Sequence, residues 1–216
     1  TRHEVAKPGD NVGLNIKGLD KNNMPRVGDV MIYKKDGTLT AATAWLAYEA
    51  GAFAGAPMGP GAMCVFAPYE LENFHIEAFD VLVNKPKVAA YRAPGAPQAA
   101  HAIEVALDDL ARQLDMDPID LRLKNAVSEG TQASYGPKFP RIGFKECLEA
   151  AKAHPNYTKP LPEGAGRGVA AGFWFNVGMQ SSAEVHINEN GSVIVVEGNP
   201  DIGGSRASMC IMAAET

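Results

Sequence analysis

The junction at residues 90–98, AYRAPGAPQ, constrains the fold more than any other stretch of this sequence. A strand-like run, VLVN at 81–84, precedes it, and apolar side chains at helical spacing follow it from Ala99 to Leu114. Its prolines and glycine leave the backbone few conformations, and Pro97 suits the first turn of a helix. The sequence therefore predicts a stiff strand-to-helix connection that carries one fixed positive charge, Arg92.

A second helix is predicted directly after the first, over DPIDLRLKNAV. Asp117 is a good N-cap, Pro118 fits the first helical position, and Asp120 favours the positive end of the helix. We expect two consecutive helices joined by a short turn.

The N-terminal third is predicted to be β-structure. Alternating apolar residues over 12–16 and the run Val30–Tyr33 predict two strands. KKDGT at 34–38 predicts a hairpin turn, since Asp-Gly takes the positive φ values that such turns need. The segment at 39–53 is expected to be the strand that follows the hairpin.

Residues 55–68 are rich in Gly and Pro and predict a plain surface loop. The next segment, FHIEAFDVLV, predicts a strand with Phe74, Ile76 and Phe79 on one face. The polar residues between them are expected to face solvent.

The C-terminal part is predicted to begin after a linker at 160–167. GRGVAAGFWFNVG, residues 166–178, is expected to be one strand. AEVHINENGSVIVVEG is expected to be a hairpin with Asn190 and Gly191 in its turn, and a helix is expected to start near Ser205.

Composition excludes several classes of protein. The chain has 216 residues, 46% hydrophobic and 21% charged, which is typical of one or two soluble globular domains. The net charge of -5 disfavours a nucleic-acid surface. No apolar run approaches the roughly 20 residues that a membrane span needs.

The cysteines and the chain ends bear on disulfides, location and completeness. Cys64, Cys147 and Cys210 are far apart and odd in number, so neither a disulfide framework nor a CxxC metal site is predicted. With no secretory signal in residues 1–10, we expect a cytoplasmic protein. The chain begins with Thr1 and stops inside a helix-like segment, so we expect a fragment.

Two loop-to-helix junctions are candidate anion sites. At Tyr91 to Gln98, arginine offers a planar fork of donors, and the following helix points free N–H groups at the same loop. At Asp201 to Arg206, a glycine pair lets the backbone approach a ligand closely before a helix start. The alternatives stay open that Arg92 pairs with a carboxylate and that each loop is a tight corner.

Other candidates are weaker. His101 and Glu104 lie one turn apart, but no second pair completes a metal site. His186 shares a strand face with Glu184 and is expected to face solvent, and the Ser-Ser pair at 181–182 lacks a GxSxG setting. The residues alone give no complete catalytic set.

The stretch VAAYRAPGAPQAAHAIEVALDDLARQLDMDPIDLRLKNAV resembles the signature segment of the molybdopterin-binding large subunit of molybdenum hydroxylases. This family includes xanthine dehydrogenase, aldehyde oxidase and carbon monoxide dehydrogenase. DGTLTAATAWLAYEAGAF before it and GRGVAAGFWFNVG with VHINENGSVIVVEGNPDIGGS after it are similar to flanking family segments. The resemblance covers about residues 36–216.

The resemblance implies a molybdenum cofactor that is held through the dithiolene sulfurs of molybdopterin, with no metal ligand from a side chain. It implies oxidation of a small organic substrate with water as the oxygen source, and partner subunits that carry iron-sulfur clusters and FAD. Pro94 is implied to face the substrate. The implied cofactor-binding residues are Arg92, Ala93, Gln98, Gly203, Gly204 and Ser205.

Three departures from the family pattern narrow the expected substrates and cofactor contacts. The purine-oxidising branch has Gly-Phe after the arginine, so Ala93-Pro94 disfavours a purine substrate. The carbon monoxide branch has a copper-binding cysteine there, which Ala93 excludes. Many members have Gly-Gln-Gly where this chain has 203–205, so one pterin-contacting side chain is missing. The family's catalytic glutamate lies far downstream, so we expect no catalytic residue here and no activity of this chain alone.

The N-terminus has a different resemblance. PGDNVGLNIKGLDKNNMPRVGDVM, residues 8–31, is similar to the second, β-barrel domain of translation elongation factors of the Tu/1-alpha family, particularly the elongation-factor-like branch. This likeness covers about residues 3–35 and implies binding of tRNA or the ribosome. A chimera, a misassembled reading frame and a divergent family member with a converged hairpin all remain open.

The resulting prediction is an α+β fold, with mixed sheets, helices packed on one side and two unequal parts, as a fragment of a larger subunit. The expected domains are an elongation-factor-like segment at 1–35, part of a first molybdopterin-binding domain at 36–158 and the start of a second at 159–216. The alternatives are a translation-factor barrel segment and a non-functional chimera.

Overall fold

A computed structural model describes residues 12–15, 30–175 and 180–215, and it divides between Trp174 and Phe175 into two compact units. The strands are β1 Val12–Asn15, β2 Val30–Tyr33, β3 Leu39–Gly51, β4 Asn73–Leu82, β5 Ala183–Ile187 and β6 Val193–Glu197. The helices are α1 Met58–Cys64, α2 Ala96–Gln113, α3 Pro118–Asn125, α4 Phe144–Ala153, α5 Pro155–Thr158 and α6 Ser205–Glu215.

The first unit contains a four-stranded sheet in the order β1-β2-β3-β4. The first three strands pair antiparallel, while β3 and β4 pair in parallel through a crossover that contains α1. Together with the helices this makes an α+β fold, as predicted. Ile16 and the predicted turn before Val30 lie outside the described residues.

The predicted hairpin at 34–38 is confirmed. Gly37 has φ +83°, and its N–H donates to the carbonyl of Lys34 at 2.8 Å. Asn125, the last residue of α3, donates to the Gly37 carbonyl at 2.9 Å and accepts from the N–H of Leu39 at 2.8 Å. A buried amide therefore ties the end of α3 to the start of β3.

The core of the first unit lies on one face of β3. Its even-numbered residues from Ala42 to Ala50 are buried, and those from Ala42 to Tyr48 belong to the same core as Ile103, Leu107 and Leu110 of α2. These three are the helical stripe that the spacing predicted. Burial of each such side chain contributes about 1.5–3 kcal/mol.

The prediction of a plain loop at 55–68 is wrong, because α1 lies inside it and Val65 and Phe66 are fully buried. Pro60 is tolerated in the first helical turn, where backbone N–H groups have no helical partner. Gly61 serves close packing, since a Cβ there would lie 2.2 Å from the hydroxyl oxygen of Tyr48. Composition alone did not separate these roles from those of turn residues.

The prediction that Phe79 shares a face of β4 with Ile76 is also wrong. Ile76 packs against the core, whereas Phe79 is 44% exposed and lies against Trp45 with ring centroids 5.1 Å apart. The period of two along a strand places residue 79 with positions 75 and 77. His75 and Glu77 are exposed, as predicted.

The strand predicted over 166–178 does not form in its described part, residues 166–175. The N–H of Ala171 donates at 2.7 Å to the carboxylate of Glu104 on α2, so a side chain takes the place of a strand partner. Residues 176–178 lie outside the described residues. The predicted linker at 160–167 is irregular and exposed. The predicted domain boundaries remain predictions.

The second unit contains the predicted hairpin of β5 and β6 followed by α6. Gly191 lies in its turn with φ +81°, and His186 lies 3.3 Å from Glu184 at the surface. Within the described ranges, no helix has the length and apolar character that crossing a membrane requires.

Candidate functional site

The parallel pair β3 and β4 determines where a ligand site is expected. Both strands end at the same edge of the sheet, at Gly51 and Leu82. The connection from β4 to α2 follows this edge, with the N–H of Val83 bonded to Gly51 and that of Val88 bonded to Ala50. Ligands of open sheets with parallel strands bind outside the carboxyl ends of the strands.

A cavity of about 480 Å³ lies beside this connection. Four of the predicted site residues line it. Among the described residues in its wall, Arg92 has the one charged side chain. Such a wall, with no carboxylate in it, suits an anion. Its lining residues are Pro57, Val88, Ala89, Tyr91, Arg92, Ala93, Pro94, Gly95, Pro97 and Gln98.

Arg92 is exposed and has its guanidinium donors free within the described part of the chain. No described carboxylate lies within ion-pair distance of it, so the alternative of a simple internal ion pair gains no support there. A fixed positive charge with free planar donors is the group that recognises oxyanions most strongly.

The backbone next to Arg92 is strained. Ala93 has φ +52°, a left-handed conformation that disfavours a residue with a Cβ by about 1–2 kcal/mol. Gly95 has φ +81°, and a Cβ there would lie 2.0 Å from the carbonyl oxygen of Pro57. Such conformations persist where the surroundings hold them, and they concentrate at ligand sites.

The first turn of α2 adds a free donor. Ala96 donates to the Ala93 carbonyl at 3.1 Å, and Ala99 donates to the Gly95 carbonyl at 3.2 Å. Pro97 has no N–H to offer. Among the described residues the backbone N–H of Gln98 has no acceptor, and Gln98 lines the cavity at the positive end of the helix dipole.

Tyr48 holds this loop through a hydrogen bond, and no pattern in the sequence predicted that contact. Its hydroxyl donates to the carbonyl of Gly95 at 2.8 Å within the core. Burial raises the pKa of Tyr48 to about 12. The tyrosine is therefore a neutral donor at physiological pH.

The second predicted junction has a different arrangement. Gly203 and Gly204 have φ +92° and +95°, and α6 begins at Ser205. The carboxylate of Asp201 accepts from the N–H of Gly204 at 2.9 Å and from the Ser205 hydroxyl at 3.2 Å. Arg206 lies 3.5 Å from the same carboxylate. An internal anion therefore already takes these donors.

The predicted residues of the two junctions belong to different compact units. Arg92, Ala93, Pro94 and Gln98 line one cavity in the first unit. Residues 203–205 lie in the second unit. Their convergence on one cofactor remains a prediction.

A buried ionic network was missed by the sequence analysis. Arg122 is fully buried and donates to Glu104 and Asp108, at 2.8 Å each, and to the carbonyl of Pro118 at 2.9 Å. Tyr69 donates to the other oxygen of Glu104. Burial is the largest influence and lowers the pKa of Arg122, but Glu104, Tyr69 and Asp108 together outweigh it and raise the pKa above its usual value. The network joins α2 to α3, so Glu104 has a structural partner in place of His101.

Known proteins resemble this chain over most of its length. Residues 28–126 match the family model of the molybdopterin cofactor-binding domain. The chain is 34% identical over 157 residues to the aldehyde oxidoreductase molybdenum-binding subunit PaoC of Escherichia coli, covering 68% of this chain and 21% of that subunit. It is 34% identical over 124 residues to the nicotinate dehydrogenase large molybdopterin subunit of Eubacterium barkeri, covering 55% of this chain and 29% of that subunit.

Among solved structures, the aldehyde oxidoreductase from Desulfovibrio desulfuricans superposes with a TM-score of 0.62 and 26% sequence identity. That match covers 78% of this chain and 20% of the other. The chain thus spans about a fifth of the length of the first of these curated relatives.

The elongation-factor resemblance of residues 3–35 gains no support from these matches. The molybdopterin-domain match begins at residue 28, inside that range. Strand β2 also pairs with β3 in the same sheet, so it is part of the unit that carries the cavity.

Proposed function

We propose that this chain is a segment of the large subunit of a molybdenum hydroxylase, because residues 28–126 match the family model of the molybdopterin cofactor-binding domain. In this proposal the subunit oxidises a small organic substrate with water as the oxygen source. The chain contributes part of the cofactor site and, by itself, turns over no substrate.

The observation that carries the proposal is the free guanidinium of Arg92 on the wall of the 480 Å³ cavity. A molybdenum cofactor is a polyanion, with oxo or sulfido groups on the metal and a phosphate on the pterin. The described lining offers a cation and a free backbone N–H and contains no carboxylate, so the donor set fits an anionic group.

The residues of the loop hold and orient this anion. Arg92 pairs with an oxyanion, while Gln98 offers its backbone N–H and its side-chain amide. Because Ala93 and Gly95 fix the backbone, the donors need little reorganisation when the charge arrives. When bound, the cofactor supplies the redox and oxygen-transfer chemistry. Pro94 faces the substrate and keeps that side of the cavity apolar.

Residues 203–205 form the second proposed contact, with the pterin phosphate region. Glycine at 203 and 204 lets an anion approach the backbone closely. The Asp201 carboxylate holds the same N–H and hydroxyl donors, so a phosphate there must share or displace it.

Substrate and partners extend the proposal. The cavity wall is mostly apolar apart from Tyr91, Arg92 and Gln98. With Ala93-Pro94 after the arginine, this wall suits a small aldehyde or heterocycle better than a purine. We further propose iron-sulfur and flavin subunits as electron acceptors and a cytoplasmic location.

The test is the substitution Arg92→Gln in the full-length subunit, co-expressed with the cofactor-synthesis proteins. We expect molybdenum content by mass spectrometry and pterin content by fluorescence of its oxidation product to fall about tenfold or more, the loss of a charged hydrogen-bonded pair. Arg112→Gln is the matched control, because Arg112 lies at the other end of α2 and pairs with Asp109. Equal molybdenum and pterin in the Arg92 variant and the control overturns the proposal.

A further inference from the structure

Tyr48 makes a contact that reaches from the sheet to the ligand loop. Its side chain rises from β3, and its hydroxyl donates to the carbonyl of Gly95 at 2.8 Å. That carbonyl also accepts the N–H of Ala99 at 3.2 Å. One oxygen atom therefore joins β3, the left-handed N-cap of α2 and the first turn of that helix.

The Tyr48 hydroxyl lies where three elements pack closely together. A Cβ on Gly61 of α1 would lie 2.2 Å from the Tyr48 hydroxyl oxygen, and one on Gly95 would lie 2.0 Å from the carbonyl of Pro57. Two glycines thus allow α1, β3 and the loop to meet at one point. Side chains larger than hydrogen would separate these elements, and the hydroxyl would lose its acceptor.

Few dihedral angles separate this contact from Arg92. Pro94 has a fixed φ, and Ala93 is held at φ +52°, with its carbonyl accepting the N–H of Ala96. Holding the Gly95 carbonyl in place therefore restricts the backbone from which the Arg92 side chain extends.

We propose that Tyr48 is a positioning residue of the anion site: its hydroxyl holds Gly95 so that Arg92 and the N–H of Gln98 face the same ligand. This inference rests on the proposed function of the cavity. Tyr48 is not among the residues that line that cavity, so it acts through the loop.

The experiment compares Tyr48→Phe with Tyr69→Phe in the full chain. Both remove one buried hydroxyl from the same core, but that of Tyr69 bonds to Glu104, away from the loop. Hydrogen exchange of the Ala96 and Ala99 amides reports loop order. Inorganic phosphate, titrated by NMR of the Gln98 amide, reports the anion site.

In Tyr48→Phe we expect exchange at Ala96 and Ala99 to rise about fivefold and the phosphate Kd to rise by a similar factor, the effect of one hydrogen bond. Tyr69→Phe should leave both unchanged. Wild-type values in Tyr48→Phe overturn the inference, as do equal effects of both variants, which would show a general loss of stability. If wild-type protein binds no phosphate, the proposed function fails, and exchange at Ala96 and Ala99 alone decides the role of Tyr48.

Discussion

The two glycine-containing junctions look alike in sequence and differ in their electrostatics. Before α2, the donors of Arg92 and Gln98 are free within the described residues and line a cavity. Before α6, the Asp201 carboxylate takes the N–H of Gly204 and the hydroxyl of Ser205. A helix start binds an external anion readily only when the chain does not provide one itself, and a single nearby aspartate makes that difference.

The largest effect is expected from Gly95→Ala against Gly204→Ala. Both glycines have positive φ, but a Cβ at 95 meets the Pro57 carbonyl at 2.0 Å, while one at 204 meets nothing within 4 Å. We expect Gly95→Ala to lower the free energy of unfolding by on the order of 3 kcal/mol, since steric overlap adds to backbone strain.

Gly204→Ala should lower the free energy of unfolding by about 1 kcal/mol, because only backbone strain acts there. Urea denaturation of both variants measures the difference. Losses of equal size would mean that the loop before α2 is no more tightly enclosed than the one before α6.

An intermediate effect is expected from Asp201→Asn. The amide keeps an oxygen that can accept from the Gly204 N–H and the Ser205 hydroxyl, but it removes the negative charge beside these donors. Affinity of the second unit for inorganic phosphate should rise about fivefold, the removal of roughly 1 kcal/mol of repulsion near the surface. Chemical-shift titration of the Gly204 amide measures it, with Glu184→Gln as a charge-matched control. An unchanged Kd would show that the carboxylate does not compete.

The smallest effect concerns acidification and the loop that precedes α1. Asp80 accepts from the N–H groups of Gly55 at 2.6 Å and Ala56 at 3.0 Å, and these bonds lower the pKa of Asp80 below 3.8. A lowered folded-state pKa means that the ionised form stabilises the fold above the unfolded pKa. This stabilisation is lost as pH falls through the lowered value.

Thermal denaturation of wild type and Asp80→Asn, measured from pH 5 down to pH values below the usual pKa of an aspartate, tests this dependence. The melting temperature of Asp80→Asn should fall less on acidification than that of wild type. Parallel curves would show that Asp80 contributes nothing to the pH dependence.

Local chemistry in the sequence predicted α2, α3, the start of α6 and both hairpins, whereas α1, α4 and α5 were not predicted. Asp117 caps α3 by accepting from the N–H groups of Ile119 and Asp120, as the Asp-Pro pair indicated. The composition of 55–68 misled because Gly61 serves packing against Tyr48, and such a role is visible only once β3 and α1 are together.

The candidate site was predictable in part for the same reason. Arg92 and Gln98 lie in one short segment, so the sequence indicated them as a group. Tyr48 and Gly95 are 47 positions apart, and Arg122 and Glu104 lie on two different helices. Interactions that depend on distant segments leave no local pattern.

The parallel pairing of β3 with β4 has a kinetic consequence. Parallel strands come together only after the intervening chain has closed, which makes such pairings slow steps of folding. Pro57 reaches the cavity from the crossover, whereas Arg92 and Gln98 follow β4. A nascent chain therefore lacks the complete cavity wall until this closure has occurred.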